Sequence, residues 1–441
     1  MAIRIPRPTN RYRCGVASSF QALFTDKYEL TMLAAALHDG SAHRQATFEI
    51  FARRLPEGRR YGIVAGTARF VEALAQFRFD DTALASLERF LDRETLAYLA
   101  DYQFSGDVDG YAEGELYFPG SPVLSVHGTF GECVVLETLA LSIFNHDTAI
   151  ASAAARMVSA AEERPLIEMG SRRTHEEAAV AAARAAYLVG FASSSNLEAG
   201  RRYGVPTTGT SAHAFTLLHD DEESAFRAQV ATLGVGTTLL VDTYDVDQGI
   251  RTAVEVAGPE LGAIRLDSGD LPTLAARARE LLDELGATRT RIIVTSDLDE
   301  YAIAGMMAAP VDGYGVGTSL VTGSGAPTMG MVYKLVERDG VAVAKRSLGK
   351  PSVGGRKSAV RRHDASGTAT AEVVTSEPVL PRDGDRPLIV ELVRGGEICT
   401  PASPREALAA ARAHHQRARE AMPAEAFALS RGDCAIDTLT A

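Results

Sequence analysis

The sequence predicts an α/β fold containing a parallel sheet, and three observations carry that prediction. Through the middle of the chain, short apolar runs that end in polar or glycine residues alternate with helical patterns. Strand, helix, strand repeated in series argues for parallel strands joined by crossover helices, and several units in succession for a barrel. Seven such runs occur, one short of a complete eight-stranded barrel. Alternating β segments near both chain ends predict a second, more antiparallel domain.

Taken in order, residues 1–20 are basic and lack acids, and a disordered N-terminal extension is expected there rather than a transit peptide. Residues 47–55 and 108–118 look like β segments. The barrel runs are 165–170, 188–193, 205–210, 237–242, 263–268, 291–296 and 313–318, with helix-like segments such as 176–187 and 271–286 between them. Ala-rich stretches at 149–161 and 178–189 read as packed helices, interrupted by Arg156 and Arg184. Residues 330–350 alternate around Asp339-Gly340, which predicts a β-hairpin. A strand-like segment follows the Pro/Gly-rich loop near 376–388, and 404–421 should be an amphipathic surface helix. The expected organisation is an extension over 1–20, an antiparallel domain from 21–145 and 331–441, and a barrel over 146–330.

The chain has 441 residues and a formal net charge of −12, a balance that argues against a sequence-independent nucleic-acid binder. No apolar run approaches the roughly 20 residues of a membrane span. Cys14, Cys133, Cys399 and Cys434 are far apart and form no CxxC pair, which fits a reducing, cytoplasmic setting.

Barrel chemistry sits where strands end and loops begin. The strand ends here carry Arg172, Arg173, His213, Asp242, Asp245, Arg265, Asp267, Asp270 and Asp297, more charge than a core needs. His213 ends the run GTSAH; an imidazole attacks a phosphoryl group when an acid orients its other nitrogen. Asp242 and Asp245 either hold Mg²⁺ or orient a base, or Asp242 or Thr243 merely caps a helix. Arg265 offers a planar fork to a carboxylate or phosphate, or simply pairs with Asp267. The glycine-rich stretch from Gly313 to Thr318 suits a phosphate cradle as well as an ordinary turn. Lys345, Lys350, Arg356 and Lys357 form either a solvated loop or a pyrophosphate clamp. His175-Glu176 lacks the second histidine of HExxH, and 347–350 matches SxxK without its companion motifs.

Together the segments TDKYELTM (25–32), FEIFARRLP (48–56), GTFGECVVLET (128–138), GSRRTHEEAA (170–179), GTSAH (209–213), LLVDTYD (239–245), IRLDSGDL (264–271), TSDLDE (295–300), YGVGTSLVTG (314–323) and VYKLVE (332–337) resemble the nicotinate phosphoribosyltransferase family. The resemblance implies an incomplete seven-stranded α/β barrel, an open-faced α/β sandwich built from both chain ends, and a head-to-tail homodimer. It implies ATP-coupled transfer of phosphoribosyl from phosphoribosyl pyrophosphate to nicotinate, with Mg²⁺ neutralising the departing pyrophosphate. His213 would be phosphorylated, Asp242 would orient it, and Asp267 would lie near the reacting ring. Tyr28, Met169, Arg172 and Arg265 would hold nicotinate. Ser296, Asp297, Gly315, Gly317 and Thr318 would hold the 5′-phosphate, and Arg53, Lys345, Lys350 and Lys357 pyrophosphate or ATP. Three departures stand out: Met169 where the family has an aromatic residue, Ser193–Asn196 where it has Gly-Thr-Ser-Asn, and Gly354-Gly355 where it has Pro-Gly. The alternatives are transfer to nicotinamide or quinolinate, or a non-catalytic nucleotide sensor on the same fold.

Overall fold

The computed structural model describes residues 22–345, 352–377, 382–399 and 403–440. The expected N-terminal extension, Lys350 and the SxxK run lie outside the described residues.

Six parallel strands form the central sheet: β1 (Leu166–Glu168), β2 (Ser193–Ser194), β3 (Thr238–Leu240), β4 (Ala263–Leu266), β5 (Arg291–Ser296) and β6 (Gly313–Val316). Their order is β2-β1-β6-β5-β4-β3, and the sheet curls into a half-barrel. All are short, and apart from the Ser193–Ser194 pair each carries the apolar run expected of strands covered on both faces. The remaining expected run, 205–210, joins only through a single parallel bridge from Ser194 to Thr207. Pro206 offers no N–H and residues 206–209 are exposed, so nothing there sustains a ladder.

A separate seven-stranded antiparallel sheet draws on both halves of the chain. Its order runs through Val341–Ala342, Met331–Arg338, Gln45–Ala52, Leu124–Thr129, Asp107–Tyr111, Ile389–Arg394 and Glu397–Ile398. The expected hairpin is present, with Glu337 opposite Ala342 and Arg338 opposite Val341. Asp339 and Gly340 both have positive φ, 50° and 76°, as a two-residue turn of this hand requires. A further four-stranded sheet combines Arg386–Pro387, Ser358–His363, Ala369–Thr375 and Asp437–Thr440.

The boundary expected at 145/146 falls inside one 25-residue helix, Glu137–Ala161. Its first half packs Leu139, Ile143 and Phe144 into the core beneath the antiparallel sheet, where Phe48 stacks on Tyr333 with centroids 4.8 Å apart. Its second half packs Ile150, Ala154 and Met157 beneath the parallel sheet. Alanines let it lie close along the helix Glu176–Val189. The two charges that interrupt the Ala-rich stretches are both paired. Arg184 is fully buried and grips Glu113 with two bonds of 2.6 and 2.7 Å. Arg156 shares Oε1 of Glu300 with Arg59, each at 2.9 Å. The helix Pro404–Glu420 buries Leu408, Ala411, His415 and Ala418, so one face belongs to the core. Among the described residues, no helix is long and apolar enough to cross a membrane.

Candidate active site

The carboxyl ends of β3, β4 and β5 converge on His213. This residue opens the short helix His213–Leu218 after the loop that follows Thr207. Its Nδ1 lies 3.1 Å from Oγ1 of Thr243. Its Nε2 faces two acids, Asp242 at 3.9 Å and Asp267 at 3.8 Å.

Asp242 was expected to orient the ring; it stands 3.9 Å from Nε2, and the hydrogen-bonded neighbour of the ring is Thr243. The reason is competition. Oδ2 of Asp242 accepts the backbone N–H of Asp267 at 2.8 Å and the Ser268 hydroxyl at 3.1 Å. Its Oδ1 is buried without a hydrogen-bond partner. Nor do Asp242 or Thr243 cap the next helix. Asp245 does so, accepting the Gln248 N–H at 2.8 Å.

Arg265 sits almost wholly within this group. It donates through Nε to Thr295 at 2.8 Å, and through Nη1 to Thr210 at 2.9 Å and to the Ser211 carbonyl at 3.2 Å. Nη2 donates to Asp267 at 2.7 Å. These four bonds leave one guanidinium N–H for a ligand, so a two-pronged grip would displace a protein contact. Burial would raise the Asp267 carboxyl, but hydrogen bonds from Thr295 and Arg265 hold it below the usual range. Thr295 and Thr210 escaped the sequence reading because a threonine at a strand end carries no distinctive signal.

Met169 follows β1 and meets the same group from the other side. A Cβ built on Gly315 would stand 2.5 Å from Cγ2 of Thr295 and 2.8 Å from Sδ of Met169, so the thioether lies over Gly315 beside Thr295. Gly315 is glycine because two neighbours already occupy that volume. Thr295 pairs with Gly315 and Ser296 with Val316, which places Ser296, Asp297, Gly317 and Thr318 together beyond adjacent strand ends. Arg172 is exposed on the turn after Met169.

The remaining expected residues lie elsewhere. Tyr28 is half-exposed on the helix Lys27–His38, beside exposed Phe24 and Met32. Burial, Glu137 and Glu29 push its hydroxyl well above the usual range. Arg53, after the strand Gln45–Ala52, lines a cleft of about 760 Å³ with Arg54, Gly325, Thr328 and Gly330, and its Nε is buried without a partner. Lys345 is exposed. Lys357 is not a free cation: its Nζ lies 2.8 Å from Glu49, both side chains being buried.

A further acid, Glu222, borders the site. Burial, then the charges of Asp242 and Asp245, push the Glu222 carboxyl up to about 7. No group of three or more His, Cys, Asp or Glu side chains is arranged to hold a metal among the described residues.

Comparison with known proteins agrees with this architecture. A family model described as the nicotinate phosphoribosyltransferase (NAPRTase) N-terminal domain matches residues 23–145. The chain is 63% identical to nicotinate phosphoribosyltransferase pncB1 of Mycobacterium tuberculosis (strain ATCC 25618 / H37Rv), with 99% of each chain covered. It is 39% identical to nicotinate phosphoribosyltransferase of Bacillus subtilis (strain 168), over 73% of this chain and 68% of that one. The crystal structure of human nicotinic acid phosphoribosyltransferase superposes with a TM-score of 0.81 at 26% identity, covering 95% of this chain and 97% of that one.

Proposed function

The chain belongs to the nicotinate phosphoribosyltransferase family, and from that premise we propose that it converts nicotinate to nicotinate mononucleotide in NAD salvage by an ATP-coupled route through phosphorylated His213. The observation that carries the finer reading is the His213 ring, pinned at Nδ1 and open at Nε2.

In the tautomer that carries its proton on Nδ1, facing Thr243 Oγ1, the Nε2 lone pair is free to attack the γ-phosphorus of ATP. The Nε2–P bond forms, the bridging P–O bond breaks, and ADP leaves. Asp242 and Asp267 stabilise the positive charge that develops on the ring. Nicotinate would lie between Arg265 and Met169, with its nitrogen turned to C1 of phosphoribosyl pyrophosphate. The strand-end loops holding Ser296 and Gly317 would receive the 5′-phosphate. Mg²⁺, carried in on the phosphates with few protein ligands, would supply charge neutralisation for the departing pyrophosphate.

Tyr28 has Glu137 as its hydrogen-bond partner rather than a member of the His213 group. With Phe24 and Met32 it forms an exposed apolar edge, which supports a homodimer in which this edge meets the site of a second copy. The unpaired Cys133, Cys399 and Cys434 fit a cytoplasmic setting.

The test is product formation from nicotinate with and without ATP, together with trapping of acid-labile label from γ-labelled ATP. Mononucleotide formation that ATP does not stimulate, with no label on the protein, would remove the coupled route.

A further inference from the structure

Glu168, the last residue of β1, is completely buried, and neither of its oxygens meets a cation. Oε1 accepts the backbone N–H of Gly170 and Oε2 the hydroxyl of Ser194, both at 2.5 Å. Burial pushes its carboxyl up, opposed by those two hydrogen bonds. A buried carboxylate without a cation is costly, and a strand end needs none for its own ladder. What it does is join two loops.

The chain of contacts is continuous. Ser194 Oγ also accepts the backbone N–H of Asn196 at 2.8 Å. Asn196 donates through Nδ2 to Ser171 Oγ at 3.0 Å and caps the helix Leu197–Tyr203 through Oδ1. Residues 169–171 and 194–196 are thereby locked together around one carboxyl group. The locked turn includes Met169, whose sulfur lies over Gly315 and beside Thr295, and Thr295 in turn holds Arg265 and Asp267. On its other flank Gly170 abuts Val321: a Cβ there would stand 2.2 Å from Val321 Cγ1. The turn is fixed on one side by packing and on the other by Glu168.

We propose that Glu168 is a positioning residue for the pyridine ring, a buried clamp that ties the 169–171 turn to the serine loop and so sets the placement of Met169 over the ring site. Ser194 is the second half of the clamp. The inference rests on the reading that the ring binds between Met169 and Arg265. It gives the serine loop a function that an isolated Ser-Ser-Ser run does not suggest.

Steady-state kinetics of Glu168→Ala, Glu168→Gln, Ser194→Ala and Ser194→Thr, with Tm measured in parallel, tests it. Losing one buried acceptor is expected to raise the nicotinate KM about tenfold, with the phosphoribosyl pyrophosphate KM changed less than about twofold. Glu168→Gln, whose amide accepts from Gly170 and donates to Ser194, and Ser194→Thr, which keeps the hydroxyl, are expected to recover most of that loss. Ser194→Ala removes the hydroxyl's bonds to Glu168 and from the Asn196 N–H but leaves Glu168 and its bond from Gly170 in place, and keeps the test available if Glu168→Ala does not fold. The double variant should lose less than the sum of the two single losses. Parallel rises in both KM values, or a lower Tm with both KM values unchanged, would overturn the clamp. Failure of the underlying reading looks different, because Met169→Ala would then leave the nicotinate KM of the otherwise wild-type enzyme unchanged.

Discussion

Thr243 Oγ1 lies 3.1 Å from Nδ1 of His213, while the nearest oxygen of Asp242 is 3.9 Å from Nε2. The hydroxyl holds the ring at Nδ1, and the acid faces it across a longer gap. His213→Ala is expected to abolish ATP stimulation and acid-labile labelling while some ATP-independent transfer survives. Thr243→Val should slow labelling up to about tenfold, the worth of one neutral hydrogen bond. Full labelling of His213→Ala would assign the phosphoryl acceptor elsewhere.

Arg265 spans Thr295, Thr210, Ser211 and Asp267 with one planar group, which an ammonium does not reproduce. Arg265→Lys should raise the nicotinate KM about tenfold or more, and that for phosphoribosyl pyrophosphate much less. Equal effects on the two substrates would make Arg265 a phosphate or structural residue. Rates on nicotinate, nicotinamide and quinolinate then show which ring the single free N–H of Arg265 favours.

Met169→Phe and Met169→Ala are to be measured together. A stacked ring gains roughly 0.5–1.5 kcal/mol beyond its area, so up to about tenfold tighter nicotinate binding is expected for Phe, and weaker binding for Ala. Gly315→Ala should weaken nicotinate binding, because its Cβ would collide with Thr295 and Met169 at a cost of about 1–3 kcal/mol. Unchanged affinity in both Met169 variants would make the thioether ordinary core.

Lys357 and Glu49 form a buried pair, and breaking such a pair by removing one partner costs about 3–5 kcal/mol. Lys357→Ala should therefore lower Tm, with little change in the phosphoribosyl pyrophosphate KM of the folded fraction. An intact Tm with a raised KM would return Lys357 to the pyrophosphate clamp.

Glu222 carries a carboxyl raised to about 7 by burial and by Asp242 and Asp245. A raised acid stabilises the fold fully below its unfolded pKa of 4.5, and that contribution fades as pH rises towards 7. The Tm of Glu222→Gln relative to wild type should accordingly climb between pH 5 and 8. A difference that stays flat over that range would show Glu222 to be ionised throughout.

The sequence by itself determined the alternation of strand and helix, the Asp339-Gly340 hairpin, and the family. These are local properties: apolar period, turn chemistry, and ordered runs of residues around strand ends. It also placed His213, Asp242, Arg265 and Asp267 at equivalent loop positions, because a parallel sheet brings every strand's carboxyl end to one side. Only the tertiary structure decided which of them touch. Asp242 is drawn to the Asp267 backbone, leaving His213 to Thr243. The charge of Lys357 is taken by Glu49, 308 residues away. Residues 205–210 read as a full strand but give a single bridge, since Pro206 and exposure deny them a ladder. Hydrogen-bond partners are a competition among all donors and acceptors in reach, and reach is set by the packing of distant segments, which no local pattern encodes.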